Sequence, residues 1–257
     1  MSKSVKHHDP NSAYRPESFS SPRAKLYLVC LLAAIATFYI ATVRSGHVWG
    51  DDFALYVHHA ENIVKGRPYA DTGYIYNPAV PVYGPRMYPP VFPLLLAPLY
   101  KFFGLNLIPM KLEQVAFFLF TLVAVYAFWK RDLGTGYALA MICVLGFSPV
   151  FWTAKDMVLS DLPFLFFFYA AAALVRLASR DSPAWWQWAI LIGLVLYLAL
   201  GTRSAGVALP AGLVLYDLLI HRTITRLTAV APVQGEDTAV EIVSPHMLDA
   251  KNRRVRT

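Results

Sequence analysis

The sequence predicts an all-α integral membrane protein. Its expected parts are about six transmembrane helices, with an amphipathic interfacial helix and a short Pro-rich helix in a long first outer loop. Hydrophobic residues make up 57% of the chain and charged residues only 15%. The apolar residues fall in blocks rather than in alternation. From Leu133 to Thr153, Leu162 to Val175, Trp185 to Thr202 and Ser204 to Tyr216, no Asp, Glu, Lys or Arg interrupts them.

In chain order, residues 1–24 read as a cytoplasmic tail carrying Lys3, Lys6, Arg15 and Arg23. The first apolar segment, Leu26 to Val43, reads as a retained anchor. Its leading region is long, and "YIATVRSGHVWG" offers no small-residue cleavage site. An outer loop over residues 44–111 follows, and within it Phe53, Tyr56, Val57, Ala60, Ile63 and Val64 recur at helical spacing, with Gly66 as the stop. This predicts an amphipathic helix along the outer interface. Beyond it, "YPPVFPLLLAPLYKFFG" holds Pro89, Pro90, Pro93 and Pro98, which remove backbone donors and predict a short interfacial or re-entrant helix.

The remaining segments are Leu112 to Trp129, Gly136 to Trp152, Leu162 to Ala178, Trp185 to Gly201 and Ala205 to Ile220. Each falls a little short of the roughly 20 residues that span a bilayer, so flanking residues must contribute. The basic clusters Lys130-Arg131, Arg176 with Arg180, and His221-Arg222 with Arg226 join the N-terminal tail in the cytoplasm if the Pro-rich segment does not cross. The membrane domain is thus 25–222, and 223–257 is a flexible cytoplasmic tail. Both termini are expected in the cytoplasm, in a bacterial inner membrane.

The net charge of +7 is spread over tails and short loops with no basic stripe, which excludes nucleic acid as a partner. Cys30 and Cys143 each lie inside an apolar block and read as small buried hydrophobes, neither disulfide nor metal ligands. Carrier or channel function is disfavoured because the spans lack ionisable groups at membrane depth. Polar chemistry is expected at the outer surface.

There, Asp51 and Asp52 precede the amphipathic helix. One carboxylate suffices as an N-cap, and Asp51 is the better placed, which leaves Asp52 for chemistry. His58 and His59 follow on similar faces and are weak candidates, with Asp71 or Asp161, for a divalent cation. The bland reading is an interfacial His pair. Asp161, before Pro163, is a candidate site acid or a helix cap. Arg203 lies in the very short turn "GTRS" and is the best candidate for clamping phosphate oxygens, with Lys155 and Arg86 behind it. The loop tyrosines Tyr69, Tyr74, Tyr76, Tyr83 and Tyr88 suit sugar stacking or an interfacial aromatic belt equally.

The order of "WGDDFALYVHHAENIVKGRPY", "YPPVFPLLLAPLYKFFG", "SDLPFLFFF" and "TRSAGVALPAG" resembles the GT-C class of membrane glycosyltransferases, which includes protein O-mannosyltransferases and aminoarabinose transferases. The resemblance covers about Ala24 to Ile220. It implies an inverting glycosyltransferase with a polyprenyl-phosphate-linked sugar as donor and a lipid, glycan or protein hydroxyl as acceptor. No nucleotide-binding Gly-rich loop is present, which fits that donor. By position, Asp51 or Asp52 matches the class's first-loop acid, Asp161 its second acidic position, and Arg203, Lys155 and Arg86 would face the phosphate. The resemblance names no definite cofactor, and a divalent metal is compatible with it. Members of the class are generally longer, so the resemblance implies an N-terminal portion and leaves room for a partner chain. The competing reading is a non-catalytic, truncated or partner-dependent module whose acids only cap helices. The enzyme reading requires the acids and Arg203 to meet in one outer site.

Overall fold

The computed structural model describes residues 22–47, 52–73, 77–79, 87–178 and 185–216. The tails 1–21 and 217–257, Asp51 and Arg86 therefore lie outside the described residues. Among the described residues every regular element is helical. They are α1 (Pro22–Ala41), α2 (Phe53–Lys65), α3 (Val91–Phe103), α4 (Leu107–Gly146), α5 (Pro149–Ala154), α6 (Asp161–Leu177), α7 (Trp185–Thr202), a 3-10 turn (Ser204–Val207) and α8 (Ala208–Tyr216). Two compact units divide the chain after Gly206. The second contains α8, a short apolar helix "ALPAGLVLY".

The helices α1 and α4 are long and apolar enough to cross a membrane. At about 1.5 Å per residue, the 17 residues of α6 and the 18 of α7 reach about 26 Å, just under the hydrocarbon thickness. Large apolar side chains such as Tyr137 and Val144 of α4 and Ile190 and Leu194 of α7 are exposed along these helices. Water would penalise such a surface, whereas lipid tails do not. Cys30 belongs to this exposed apolar face of α1, so the expectation that it is buried is corrected; Cys143 is half-buried.

The segments expected at Leu112–Trp129 and Gly136–Trp152 form one element whose backbone breaks at Gly134 (φ 77°, ψ 168°), a conformation that suits glycine. A straight helix would separate Phe118 from Gly146 by about 40 Å. Phe118 nevertheless stacks on Phe151 at 4.8 Å between ring centroids, so the two arms of α4 fold back on each other. The charges expected to form a cytoplasmic turn stay on the helix because neighbours satisfy them. The Arg176 guanidinium grips the Asp132 carboxylate with both nitrogens and donates to the Phe128 carbonyl at 3.0 Å, and the Lys130 ammonium lies over the Tyr126 ring.

The interior of the helix group is one apolar cluster from α1, both arms of α4 and α6: Ile35, Tyr39, Phe118, Leu122, Ile142 and Leu162 are among its members. Tyr39 stacks on Phe118 at 5.1 Å. Gly146 lets α1 and α4 approach closely, since a Cβ there would fall 2.2 Å from Ile35 Cδ1.

A second cluster joins α2 to α3, with Phe53, Tyr56, Val57 and Ala60 packed on Phe92, Leu96 and Ala97, and with Met110 and Val158 beneath. The amphipathic pattern of α2 accounts for this layer. Its last turn closes with Gly66 at φ 62° and a hydrogen bond from Arg67 N to Asn62 O at 2.9 Å, the Schellman arrangement. The Pro-rich segment forms the short helix expected, 13 residues long, with Pro98 inside it and Gly104 ending it.

Because Phe118 of α4 is buried between Tyr39 of α1 and Phe151 of α5, Phe118→Ala should lower the stability of the solubilised protein by about 3 kcal/mol. Val144→Ala, on the exposed face, should change it by less than about 0.5 kcal/mol. Thermal unfolding of both variants in one detergent checks the contrast; equal losses would contradict the assigned interior.

Candidate functional site

The site begins where α2 does. Asp52, not Asp51, occupies the N-cap position, which corrects the sequence reading. Its backbone is helical (φ −63°, ψ −8°) and its carbonyl accepts from Leu55 N and Tyr56 N, but its exposed carboxylate makes no capping hydrogen bond. The side chain is therefore not consumed by the helix end. One helical turn later, on the same face, Tyr56 turns inward and is buried.

The Tyr56 hydroxyl lies 2.9 Å from the Ser160 hydroxyl, a bond between residues 104 positions apart. Ser160 is the N-cap residue of α6, so Asp161 is the first residue inside the helix and not the cap. An acid in that first turn is favoured by the helix dipole. The Asp161 carboxylate forms an ion pair with the Arg203 guanidinium, both groups remaining partly exposed.

Arg203 is aimed by the way α7 ends. Its own N–H donates to Ala199 O at 3.1 Å and its carbonyl accepts from Gly206 N at 2.8 Å. Gly206 lies so close to the last turn of α7 that a Cβ would fall 2.7 Å from the Leu200 backbone. A glycine is needed here for close approach rather than for its φ. The start of α3 meets the same end of α7, where Gly201 faces Val91.

Tyr56 registers the charges of the whole group. Burial pushes its phenol above the ordinary value; the Ser160 hydrogen bond pulls it back, Asp52 raises it, Arg203 lowers it and Asp161 raises it. Asp161 and Arg203 thus pair beside the Ser160 that holds the Tyr56 hydroxyl, and Asp52 stands one turn before Tyr56 on the same helix, close enough to act on its phenol.

Lys155 does not join them. It is fully buried, its ammonium 2.6 Å from Asp156 Oδ2 and 4.8 Å from the Trp152 ring centroid. Asp156 is the hub of a second network that the sequence reading missed. It accepts from Arg44 N at 2.9 Å and lies 3.9 Å from both the Arg44 Nε and the Lys111 ammonium. Lys111, also fully buried, donates to the Arg44 and Gly46 carbonyls. The network ties the end of α1 to the start of α4.

The histidines separate. His58 is half-exposed, 3.9 Å from Glu61 Oε2, and lines an open cleft of about 680 Å³ with Phe53 and Val57. His59 is fully buried, stacks on Tyr69 at 4.1 Å, and uses both nitrogens. Nδ1–H donates to Tyr69 O at 2.8 Å, and Nε2 accepts from Tyr88 N at 3.5 Å. With Asn62 donating to Asp71 O at 2.7 Å and the Tyr69 hydroxyl donating to Tyr88 O at 2.9 Å, His59 fastens the loop after α2 to the approach to α3. Among the described residues, no group of three His, Cys, Asp or Glu side chains gathers as a metal site. Tyr69 and Tyr88 are likewise engaged in this fastening, which gives them a structural role whatever they stack on.

The model of the family described as dolichyl-phosphate-mannose-protein mannosyltransferase matches residues 87–248, more than half of the 257-residue chain. The match takes in α3, the site residues Asp161 and Arg203, and the elements between them, in agreement with the resemblance seen in the residue pattern. No curated protein and no solved structure matches the chain.

Burial, its main cause, holds the His59 imidazole below its ordinary value of 6.5, against the opposing pull of the Tyr69 carbonyl. A neutral ring in the docked loop and a protonatable one in the released loop mean that docking is strongest above pH 6.5 and weakens as pH falls below it. Amide exchange over residues 67–73, corrected for intrinsic rate, should quicken between pH 7.5 and pH 5.5 in the wild type. In His59→Gln it should not. A pH-independent wild type would contradict the assignment.

Proposed function

The chain belongs to the dolichyl-phosphate-mannose-protein mannosyltransferase family, and on that premise we propose that it transfers a sugar from a polyprenyl phosphate to an acceptor hydroxyl at the outer membrane face, inverting the anomeric carbon. The observation that supports this reading is the ion pair of Asp161 with Arg203, next to the Ser160 that bonds Tyr56 one turn after Asp52.

In the proposed step the acceptor oxygen forms a bond to the anomeric carbon while the bond from that carbon to the phosphate oxygen breaks. The bonding electrons leave with the polyprenyl phosphate. The acceptor proton passes to a carboxylate. Asp52 is the proposed general base, because its side chain is released from capping and is exposed. Asp51, its neighbour in sequence, is the alternative base. Asp161 orients the acceptor and holds Arg203 until the phosphate arrives. Arg203 takes up the charge that develops on the leaving phosphate, a task suited to a planar guanidinium. Lys155, held by Asp156, adds positive field rather than a direct contact, and Arg86 is a further phosphate candidate.

The Asp161–Arg203 pair also suits a second reading, a non-catalytic module in which the pair only joins helices. The two readings separate by experiment. Membranes containing the full chain are given a labelled polyprenyl-phosphate monosaccharide, and sugar release is measured at equal protein level. Asp52→Asn should lower release by about 10²-fold or more. Arg203→Gln should lower it by about 10–100-fold, the worth of one charge-assisted contact. Wild-type release that survives Asp52→Asn undiminished would remove Asp52 as the base. A stably inserted wild type that releases nothing would favour the structural reading.

A further inference from the structure

Gln114, near the start of α4, is fully buried, yet neither its Oε1 nor its Nε2 has a hydrogen-bond partner. It lines a cavity of about 500 Å³ together with Phe151, Leu162, Phe164 and Leu165, and Asp161 contributes to the same lining. An unsatisfied buried amide costs about 1–3 kcal/mol, so packing alone would favour an apolar side chain at this position. The residue is explained if something entering the cavity supplies the missing partner.

We infer that this cavity is a subsite for a neutral hydroxyl or amide group borne on an apolar body, with Gln114 as its hydrogen-bonding residue. A carboxamide donates and accepts at once and carries no charge. A hydroxyl or an amide answers both functions. A phosphate or carboxylate would answer only the Nε2 donors and leave Oε1 facing a like charge. The remaining walls named above are apolar, which fixes the character of the rest of the ligand. Asp161, which pairs with Arg203, sets this cavity beside the proposed reaction site. Two sources share this chemistry, the acceptor substrate and an amphiphile of the surrounding membrane. Only the first rests on the function proposed above.

The test uses the full chain in lipid nanodiscs with a diazirine-bearing dodecanol and the matching diazirine-bearing dodecane. Photolabel is read on the peptide covering residues 150–165. The alcohol should label the wild type about tenfold more than the hydrocarbon, the worth of one satisfied hydrogen-bond pair. Gln114→Leu should bring the alcohol down to the hydrocarbon level and should raise Tm, since its amide has no partner in the fold to lose. Equal labelling of the wild type by both probes would overturn the inference. So would a Gln114→Leu variant with a lowered Tm, because it would show a structural partner for the amide. Unlabelled dodecanol that stimulates sugar release identifies the acceptor as the source. Alcohol-specific labelling without that stimulation identifies the membrane amphiphile. Labelling needs no turnover, so an inactive chain would defeat the proposed reaction and leave this result standing.

Discussion

The ion pair between Asp161 and Arg203 joins the first residue of α6 to the turn that ends α7, and the proposed site depends on it. A bilayer offers a bare charge no water, so charges collect where apolar helices end. At this end the pair fixes Arg203 over the start of α6, where Ser160 holds the Tyr56 hydroxyl. Through that hydroxyl the start of α6 is coupled to α2, whose N-cap is Asp52. Two helix ends and the amphipathic helix α2, distant in sequence, therefore meet at a single polar point.

The other end of α6 is held in the same manner. Arg176, in its last turn, grips Asp132 and packs its guanidinium over the Phe128 ring at 4.8 Å. An acid at the start and an arginine at the end complement the helix dipole at both termini. With α6 fixed at each end, the stacked rings of Tyr39, Phe118 and Phe151 fill the space between it, α1 and the two arms of α4. The layer of α2 and α3 then rests on Met110 and Val158 as a separate apolar cluster. Its loop is fastened by His59 and Tyr69.

The helices were legible in the sequence because apolar blocks and helical spacing are local signals. So were the stop at Gly66 and the short proline-bearing α3. Asp161 and Arg203 stood out because each is a lone charge at the edge of an apolar block. What could not be read was partnership. Tyr56 looked like one more apolar position of α2, since its bond to Ser160 spans 104 residues. Asp156 was hidden beside Lys155 in a turn that seemed merely polar, although it gathers Arg44 and Lys111 from elsewhere. Composition could not tell which of two adjacent acids caps α2, because the choice depends on backbone angles at Asp52. The reversal at Gly134 was placed in the right interval, but its tightness follows from the Arg176 contacts made by α6.

The central claim is that Asp52, Asp161 and Arg203 share one site around Tyr56, and Tyr56 itself can report it. With ring-labelled tyrosine, the difference between the wild type and Tyr56→Phe isolates the titration of this one phenol by carbon NMR. Burial should place its midpoint above the ordinary value of 10.0. Asp52→Asn and Asp161→Asn each remove a negative charge and should move the midpoint down; Arg203→Gln removes a positive charge and should move it up. A Tyr56 midpoint indifferent to all three substitutions would contradict a shared site.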